Sequence, residues 1–178
     1  MSSAQELQSQ GVKLFGQKEY EEAARVFAQA LEQYQADGQP SLAAEMQVNL
    51  GLVHRALGEH QQALDVMQEA LHTFESSNDR LHTAMMLGNI GGVYSALGDK
   101  EQAYNCYRNA ADLFQELGET KHHGETLVAL ASLQMRDGKI SAGSSTYEVG
   151  LSELGDLTTS QKVLKGLLGI RNKLTGGL

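Results

Sequence analysis

The chain repeats itself with a period of about forty residues. The segment from Asn89 to Ala110 reads NIGGVYSALGDKEQAYNCYRNA, and the segment from Asn49 to Ala70 reads NLGLVHRALGEHQQALDVMQEA. A self-similar period of this size is typical of solenoids, in which each unit buries its apolar face against the next. This period restricts the possible folds more strongly than any other feature of the sequence.

Each period contains two segments with apolar residues at helical spacing, separated by short turns. Ser3 and Glu6 have the spacing of a capping box, and Asp99 with Gln102 forms a second capping pair. We therefore predict one domain over residues 1–178. Its expected parts are four helix pairs and a final capping helix, at about 3–38, 41–78, 81–118, 121–156 and 158–175.

Small residues recur where two helices of a pair are expected to cross, and bulky residues recur opposite them. This large–small alternation is typical of a packed core, because helices approach closely only where side chains are small. The small positions of the first helices are Gly11, Gly51, Gly91 and Ala131, those of the second helices are Ala23, Ala63, Ala103, Ala30, Ala70 and Ala110, and the bulky positions are Phe27, Met67, Tyr107 and Tyr147.

The fourth unit has glycine where earlier units have alanine. Gly143 and Gly150 keep the small-residue requirement, but each costs about 1 kcal/mol in a helix interior relative to alanine. We predict that this helix, at about 140–154, is the least stable of the array.

These positions resemble the tetratricopeptide repeat, in its long forty-residue variety similar to the Leu-Gly-Asn repeat scaffolds. The departures are local: His54 and Leu14 stand where Tyr94 is, and Met67 replaces an aromatic residue. The resemblance implies an all-α fold, a right-handed superhelical solenoid of antiparallel helix pairs, and a non-catalytic protein–protein interaction module. It covers nearly the whole chain, at Gly11, Ala23, Phe27 and Ala30; Gly51, Ala63 and Ala70; Gly91, Tyr94, Ala103, Tyr107 and Ala110; and Tyr147.

In this family the first helices of the pairs line a concave groove. The resemblance implies that Asn49 and Asn89 bind the backbone of a peptide, since an amide both donates and accepts hydrogen bonds. The alternative is that each asparagine bonds a neighbouring helix or faces water. A grip on a C-terminal carboxylate is not expected, because Gln8 and Met85 replace the required lysines. The candidate groove residues are Asn49, Asn89, Leu52, Arg55, Glu45, Met85, Glu125 and Val128.

Gly88 and Gly92 leave the expected groove wall shallow. A bulky apolar side chain or a partner helix would fit there, although both glycines could serve only close helix packing.

Composition and charge argue against several other classes of function. The 178 residues carry a net charge of −8, which disfavours nucleic acid and anionic membranes as partners. The single cysteine, Cys106, is expected to be a buried inert thiol, and the six histidines form no zinc-binding pattern. We expect no cofactor, no metal and no catalytic activity. Without a signal peptide or a long apolar run, the expected location is the cytoplasm.

Two functions agree with these observations. The first is a module that binds a protein or peptide, or a helix, in its groove. The second is a self-assembling, homo-oligomeric scaffold that pairs through its C-terminal helix. An exposed apolar stripe on that helix would favour the second function, and its residues are Val163, Leu164, Leu167 and Leu168.

Overall fold

Short capped turns divide the chain into a row of helices. The computed structural model describes residues 3–155, 157–163 and 165–166, and no strand occurs in these ranges. Residues 159–163 and 165–166 are also helical. The prediction of an all-α repeat fold is confirmed. The helices are α1 (Ala4–Gly16), α2 (Tyr20–Ala36), α3 (Pro40–Leu57), α4 (His60–Ser76), α5 (Arg80–Leu97), α6 (Lys100–Leu117), α7 (Thr120–Arg136) and α8 (Ile140–Glu153).

Side-chain caps and left-handed residues set the helix ends. The Glu6 N–H donates to the Ser3 hydroxyl (3.2 Å) and the Ser3 N–H donates to the Glu6 carboxylate (2.9 Å), which confirms the predicted capping box. The Asp99 carboxylate likewise accepts from the Gln102 N–H (3.2 Å). Gly58 and Gly98 end α3 and α5 with φ of 80° and 84°, a conformation that glycine adopts without strain.

Within each pair, a small residue of the first helix lies against a bulky residue of the second. A Cβ atom placed on Gly11 would lie 2.5 Å from Cε1 of Phe27, and one on Gly51 would lie 2.5 Å from Cγ of Met67. Phe27 and Met67 are almost completely buried. The predicted large–small alternation is therefore confirmed as the packing rule of the core.

Consecutive pairs are joined by a second, also repeated, contact. Each helix packs chiefly on the helices just before and after it in the chain. At two junctions a histidine of the next pair stacks on a phenylalanine, with His82 5.0 Å from Phe74 and His122 5.2 Å from Phe114 between ring centroids. The pairs thus form a stacked array, and α1, α3, α5 and α7 present one common side, called the groove face below.

The fourth pair, α7 and α8, packs with its backbones unusually close. A Cβ atom on Gly150 would lie 2.8 Å from the Gly124 carbonyl oxygen, and one on Gly143 would lie 3.0 Å from the Ala131 carbonyl oxygen. The two glycines therefore meet the small-residue requirement as predicted. That α8 is the least stable helix stays a prediction.

Only part of the predicted capping helix at 158–175 can be compared. Residues 159–163 and 165–166 are helical, and Val163 is 60% exposed. The remaining residues of the predicted stripe, Leu164, Leu167 and Leu168, lie outside the described residues.

Candidate binding groove

Two clefts open on the groove face, and both contain an asparagine that the sequence predicted. The first cleft lies between α1 and α3 over the Phe27 ring and has a volume of about 90 Å³. Val12, Phe15, Asn49 and Leu52 line it. It is therefore a narrow, mainly apolar cleft with one amide at its edge.

The second cleft lies between α5 and α7 and has a volume of about 320 Å³. Helix α6 forms its floor, and the walls combine apolar, amide and carboxylate groups. It is large enough to admit a side chain of a partner. Its lining residues are Met85, Gly88, Asn89, Tyr107, Phe114, His122, Glu125, Thr126 and Ala129.

Asn49 and Asn89 are both half-buried, one repeat apart. Within the described part of the chain, neither side chain makes a hydrogen bond, so the alternative of a bond to a neighbouring helix is not observed there. A half-buried amide is stabilised when both its donor and its acceptor are paired. Both asparagines thus offer free hydrogen-bonding groups on the groove face.

The other predicted groove residues do not all lie together. Leu52 lines the first cleft, whereas Met85 and Glu125 line the second. Glu45 accepts a long hydrogen bond from the Gln8 amide (3.5 Å) at the start of the groove face. Val128 packs toward α8, since its Cγ2 lies 3.1 Å from a Cβ placed on Gly150.

Arg55 lies between the two clefts. One of its Nη atoms is 3.5 Å from a Cβ placed on Gly92, which is one helix pair further along. In the described ranges the Arg55 guanidinium has no carboxylate within ion-pairing distance. It is therefore an unneutralised charge on the groove face.

Sequence reasoning treated Tyr107 only as a core residue, but its hydroxyl reaches the groove. The ring is 7% exposed, and the hydroxyl oxygen lies 3.6 Å from a Cβ placed on Gly92. Burial raises the pKa of the Tyr107 hydroxyl, and the nearby Arg136 and Arg55 partly oppose that rise. The hydroxyl consequently keeps its proton at neutral pH. The signal that could have revealed it is the Gly92 that leaves it uncovered.

Arg136, at the end of α7, was also missed. Its guanidinium donates to the Ser95 hydroxyl of α5, which connects α7 to α5 across the groove face. The position carries alanine in the two preceding units, Ala56 and Ala96, so the repeat pattern gave no indication of a charge there.

His122, His123 and Cys106 take structural positions. His122 stacks on Phe114, while the adjacent His123 pairs with Glu153 of α8 (2.6 Å). Cys106 is buried as predicted, and burial raises the pKa of its thiol. Among the residues that the structure describes, no group of three or more His, Cys, Asp or Glu is arranged to hold a metal ion. None of the described helices is long and apolar enough to cross a membrane.

Comparison with known proteins decides the family. A family model described as Tetratricopeptide repeat matches residues 10–76 and 42–108, which together span more than half of the chain. This chain belongs to the tetratricopeptide repeat family. The resemblance seen in the sequence is thereby confirmed, and folds of this family are typically non-catalytic interaction scaffolds.

Solved structures support the same fold. The crystal structure of BtubC (BKLC) from P. vanneervenii superposes with a TM-score of 0.79 at 15% identity, covering 97% of this chain and 73% of that one. The crystal structure of the apo form of RapI superposes with a TM-score of 0.80 at 16% identity, covering 97% of this chain and 47% of RapI. This chain thus spans about half the length of RapI. Because both identities are low, the two similarities concern only the fold. A comparison with curated proteins returned no match.

Proposed function

We propose that this tetratricopeptide repeat chain is a non-catalytic interaction module that binds a peptide or a helix of another protein on its groove face. The observation that carries the proposal is the pair Asn49 and Asn89, half-buried at matching repeat positions and free of hydrogen bonds to described residues. Each amide can donate to a backbone carbonyl and accept from a backbone N–H of a bound segment. Such hydrogen bonds hold the backbone of the segment and do not depend on its side chains.

Apolar contacts would add to the affinity. Leu52 in the first cleft and the 39% exposed Met85 in the second offer apolar surface beside the two amides. Glu45 and Glu125 add negative charge on the same face. Val128 remains a proposed contact only where a bound segment reaches the α7–α8 junction. The expected cytoplasmic location stays a prediction.

The test is a selection of peptides on the full chain. A random library of short peptides is displayed, and the selected peptides are titrated against the wild type and against the double variant Asn49→Ala/Asn89→Ala. Loss of two hydrogen bonds should weaken binding by about tenfold, or about 1.4 kcal/mol. Circular dichroism and thermal melting show whether the variant keeps the fold.

A matched control is available on α6. Asn105 and Asn109 are exposed, and neither lines the two clefts. The double variant Asn105→Ala/Asn109→Ala should bind the peptides as the wild type does. Equal affinities of all three proteins would overturn the groove assignment.

A second candidate function, self-assembly, is favoured by apolar side chains near the last described helices. Ile140 and Val149 of α8 are 55% and 51% exposed, and Val163 is 60% exposed. Light scattering after size exclusion, over a range of concentrations, separates the two functions. A monomer at all concentrations supports the groove, whereas a dimer that dissociates on dilution and is lost in Val163→Asp supports self-assembly.

A further inference from the structure

Two hydrogen-bond donors lie beside Gly92 of α5, and a third approaches the same part of the groove face from α7. An Nη atom of Arg55 and the hydroxyl oxygen of Tyr107 lie 3.5 Å and 3.6 Å from a Cβ placed on this glycine. Arg136 approaches from α7, where its guanidinium reaches Ser95, one helical turn beyond Gly92. The three groups come from α3, α6 and α7, so only the folded array brings them together.

Neither Arg55 nor Arg136 is paired with a carboxylate of the described residues. Arg25 and Arg80 pair with Glu22 and Glu116, as expected in a chain with an excess of carboxylates. Arg55 makes no ion pair with any described residue, and Arg136 donates to the neutral Ser95 hydroxyl. Two positive charges therefore face the groove of a protein whose net charge is −8. Such a local reversal of charge favours an anionic group on the partner.

The absence of a side chain at residue 92 makes this place accessible. The corresponding positions of the first two units carry Val12 and Leu52, which line the first cleft. A side chain of that size on Gly92 would cover the Tyr107 hydroxyl. In the second unit the residue matching Tyr107 is Met67, which has no hydroxyl, so the second unit does not form this set of donors.

We propose that Arg55 and Arg136 bind the carboxylate of an Asp or Glu side chain of the partner segment, with the Tyr107 hydroxyl donating to it from the floor. This inference rests on the proposed function, because the same segment occupies the groove. Guanidinium groups match the planar geometry of a carboxylate and can donate two hydrogen bonds to it. The occupant is therefore an acidic segment.

A carboxylate fits these surroundings better than a phosphate. Glu125 lines the adjoining cleft, and Glu45 lies further along the same face. A phosphoryl group carries about −1.5 to −2 charges at neutral pH, so these carboxylates repel it more strongly than a single negative charge. Arg55 and Arg136 lie in the last turns of α3 and α7, and C-terminal amidation of the peptide distinguishes a side-chain carboxylate from a chain terminus there.

A double-mutant cycle tests the inference with the peptides selected above. Each Asp or Glu of a selected peptide is replaced by Asn or Gln, and affinities are measured for the wild type and for Arg55→Gln/Arg136→Gln. We expect one acidic position whose replacement weakens binding to the wild type by about tenfold. The same replacement should change the affinity of the double variant by less than about twofold, because the peptide carboxylate has no arginine partners in that variant.

Arg108→Gln is the matched control for charge. Arg108 lies on α6 over the Tyr104 ring (5.6 Å) and lines neither cleft, yet its removal changes the net charge as each groove substitution does. It should leave the coupling intact. Arg55→Gln alone is the second groove variant, because it leaves the Arg136–Ser95 contact in place and still removes one of the two charges.

The outcomes separate this inference from the proposed function. Peptides that depend on Asn49 and Asn89 but show no coupling to Arg55 or Arg136 would overturn the inference and leave the groove proposal standing. Peptides that do not depend on the asparagines would overturn both. Tighter binding of a phosphoserine than of a glutamate at the coupled position would replace the carboxylate by a phosphate, and loss of binding on C-terminal amidation would replace it by a chain terminus.

Discussion

The two clefts of the groove face are built on the same repeat but differ in size and chemistry. The first, between α1 and α3, holds about 90 Å³ and is closed by Val12, Phe15 and Leu52. The second, between α5 and α7, holds about 320 Å³ and exposes an amide, a carboxylate and a phenol. Gly88 and Gly92 stand in α5 where α3 has Val48 and Leu52.

The difference shows that residues of one helix have different roles when they face the core and when they face the groove. Gly51 and Gly91 serve the core, because each lies against a bulky side chain of the next helix. Gly88 has no atom within 4 Å of a Cβ placed on it, and Gly92 meets only polar groups at ordinary contact distance. The core glycines thus maintain the architecture, whereas the groove glycines shape a binding surface upon it.

The largest expected effect concerns the floor of the first cleft. Gly11→Ala would place a methyl group 2.5 Å from the buried Phe27 ring, which cannot move without disturbing the first core cluster. We expect the free energy of unfolding to fall by about 1–3 kcal/mol. Urea denaturation measures it, and an unchanged midpoint would show that the floor is looser than its packing indicates.

Restoring the leucine of the second unit beside the second cleft should weaken peptide binding. Gly92→Leu introduces the residue of the second unit and would cover the Tyr107 hydroxyl and the Arg55 guanidinium. We expect the affinity for a selected peptide to fall by about tenfold while the fold is kept. Calorimetric titration measures the change.

The control for this conversion adds the same bulk elsewhere. Asn109→Leu places a leucine on the exposed surface of α6, outside both clefts. It should bind the peptide as the wild type does. If Gly92→Leu also binds normally, the surface formed by Gly92, Arg55 and the Tyr107 hydroxyl does not contribute to binding.

Gly88→Ala should act in the opposite direction to Gly11→Ala. Gly88 lies inside α5 with open space at its Cβ position, so alanine adds helix propensity without a clash. We expect the free energy of unfolding to rise by about 1 kcal/mol. A loss of stability in thermal melting would mean that Gly88 serves close helix packing, the alternative that the sequence left open.

The smallest effect concerns a charged cluster at the C-terminal end of α7. The Asp137 carboxylate, after α7, accepts from Lys100 (2.5 Å) and Lys139 (3.0 Å), and these hydrogen bonds lower its pKa to about 2. Since this folded-state pKa lies below the ordinary 3.8, the contribution is complete above pH 3.8 and is lost as the pH falls toward 2. Position 97, one repeat earlier, is a leucine.

Asp137→Asn should therefore remove a small pH-dependent contribution to stability. The variant should still fold. We expect a slightly lower melting temperature near neutral pH, and a difference from the wild type that shrinks between pH 3.8 and 2. Melting curves across this range measure it. A difference that stays constant with pH would assign the effect to something other than the carboxylate charge.

The sequence predicted the core more completely than the groove, for a physical reason. Core positions recur with the period, so Gly11, Gly51 and Phe27 could be recognised from their spacing alone. The groove depends on side chains that meet across helices and differ from unit to unit. Tyr107 was read as core bulk because its hydroxyl is exposed only through Gly92, and Arg136 occurs where earlier units have alanine.

The predicted groove positions followed the helical spacing of the first helices, which identifies a face but not a direction for each side chain. Asn89, Met85 and Glu125 do line one cleft. Val128 packs toward α8, because Gly150 leaves space there that an alanine would fill. Such a detail follows from the crossing of two helices and could not be obtained from the spacing in one.

The most direct test of the account observes the asparagine side chains themselves. Nuclear magnetic resonance of the ¹⁵N-labelled chain, titrated with a selected peptide, reports each side-chain amide separately. We predict that the amide signals of Asn49 and Asn89 shift together with the backbone amides of Gly88 and Gly92, while those of Asn105 and Asn109 stay in place. Shifts confined to Asn105, Asn109 and α8, with Asn49 and Asn89 unmoved, would contradict it.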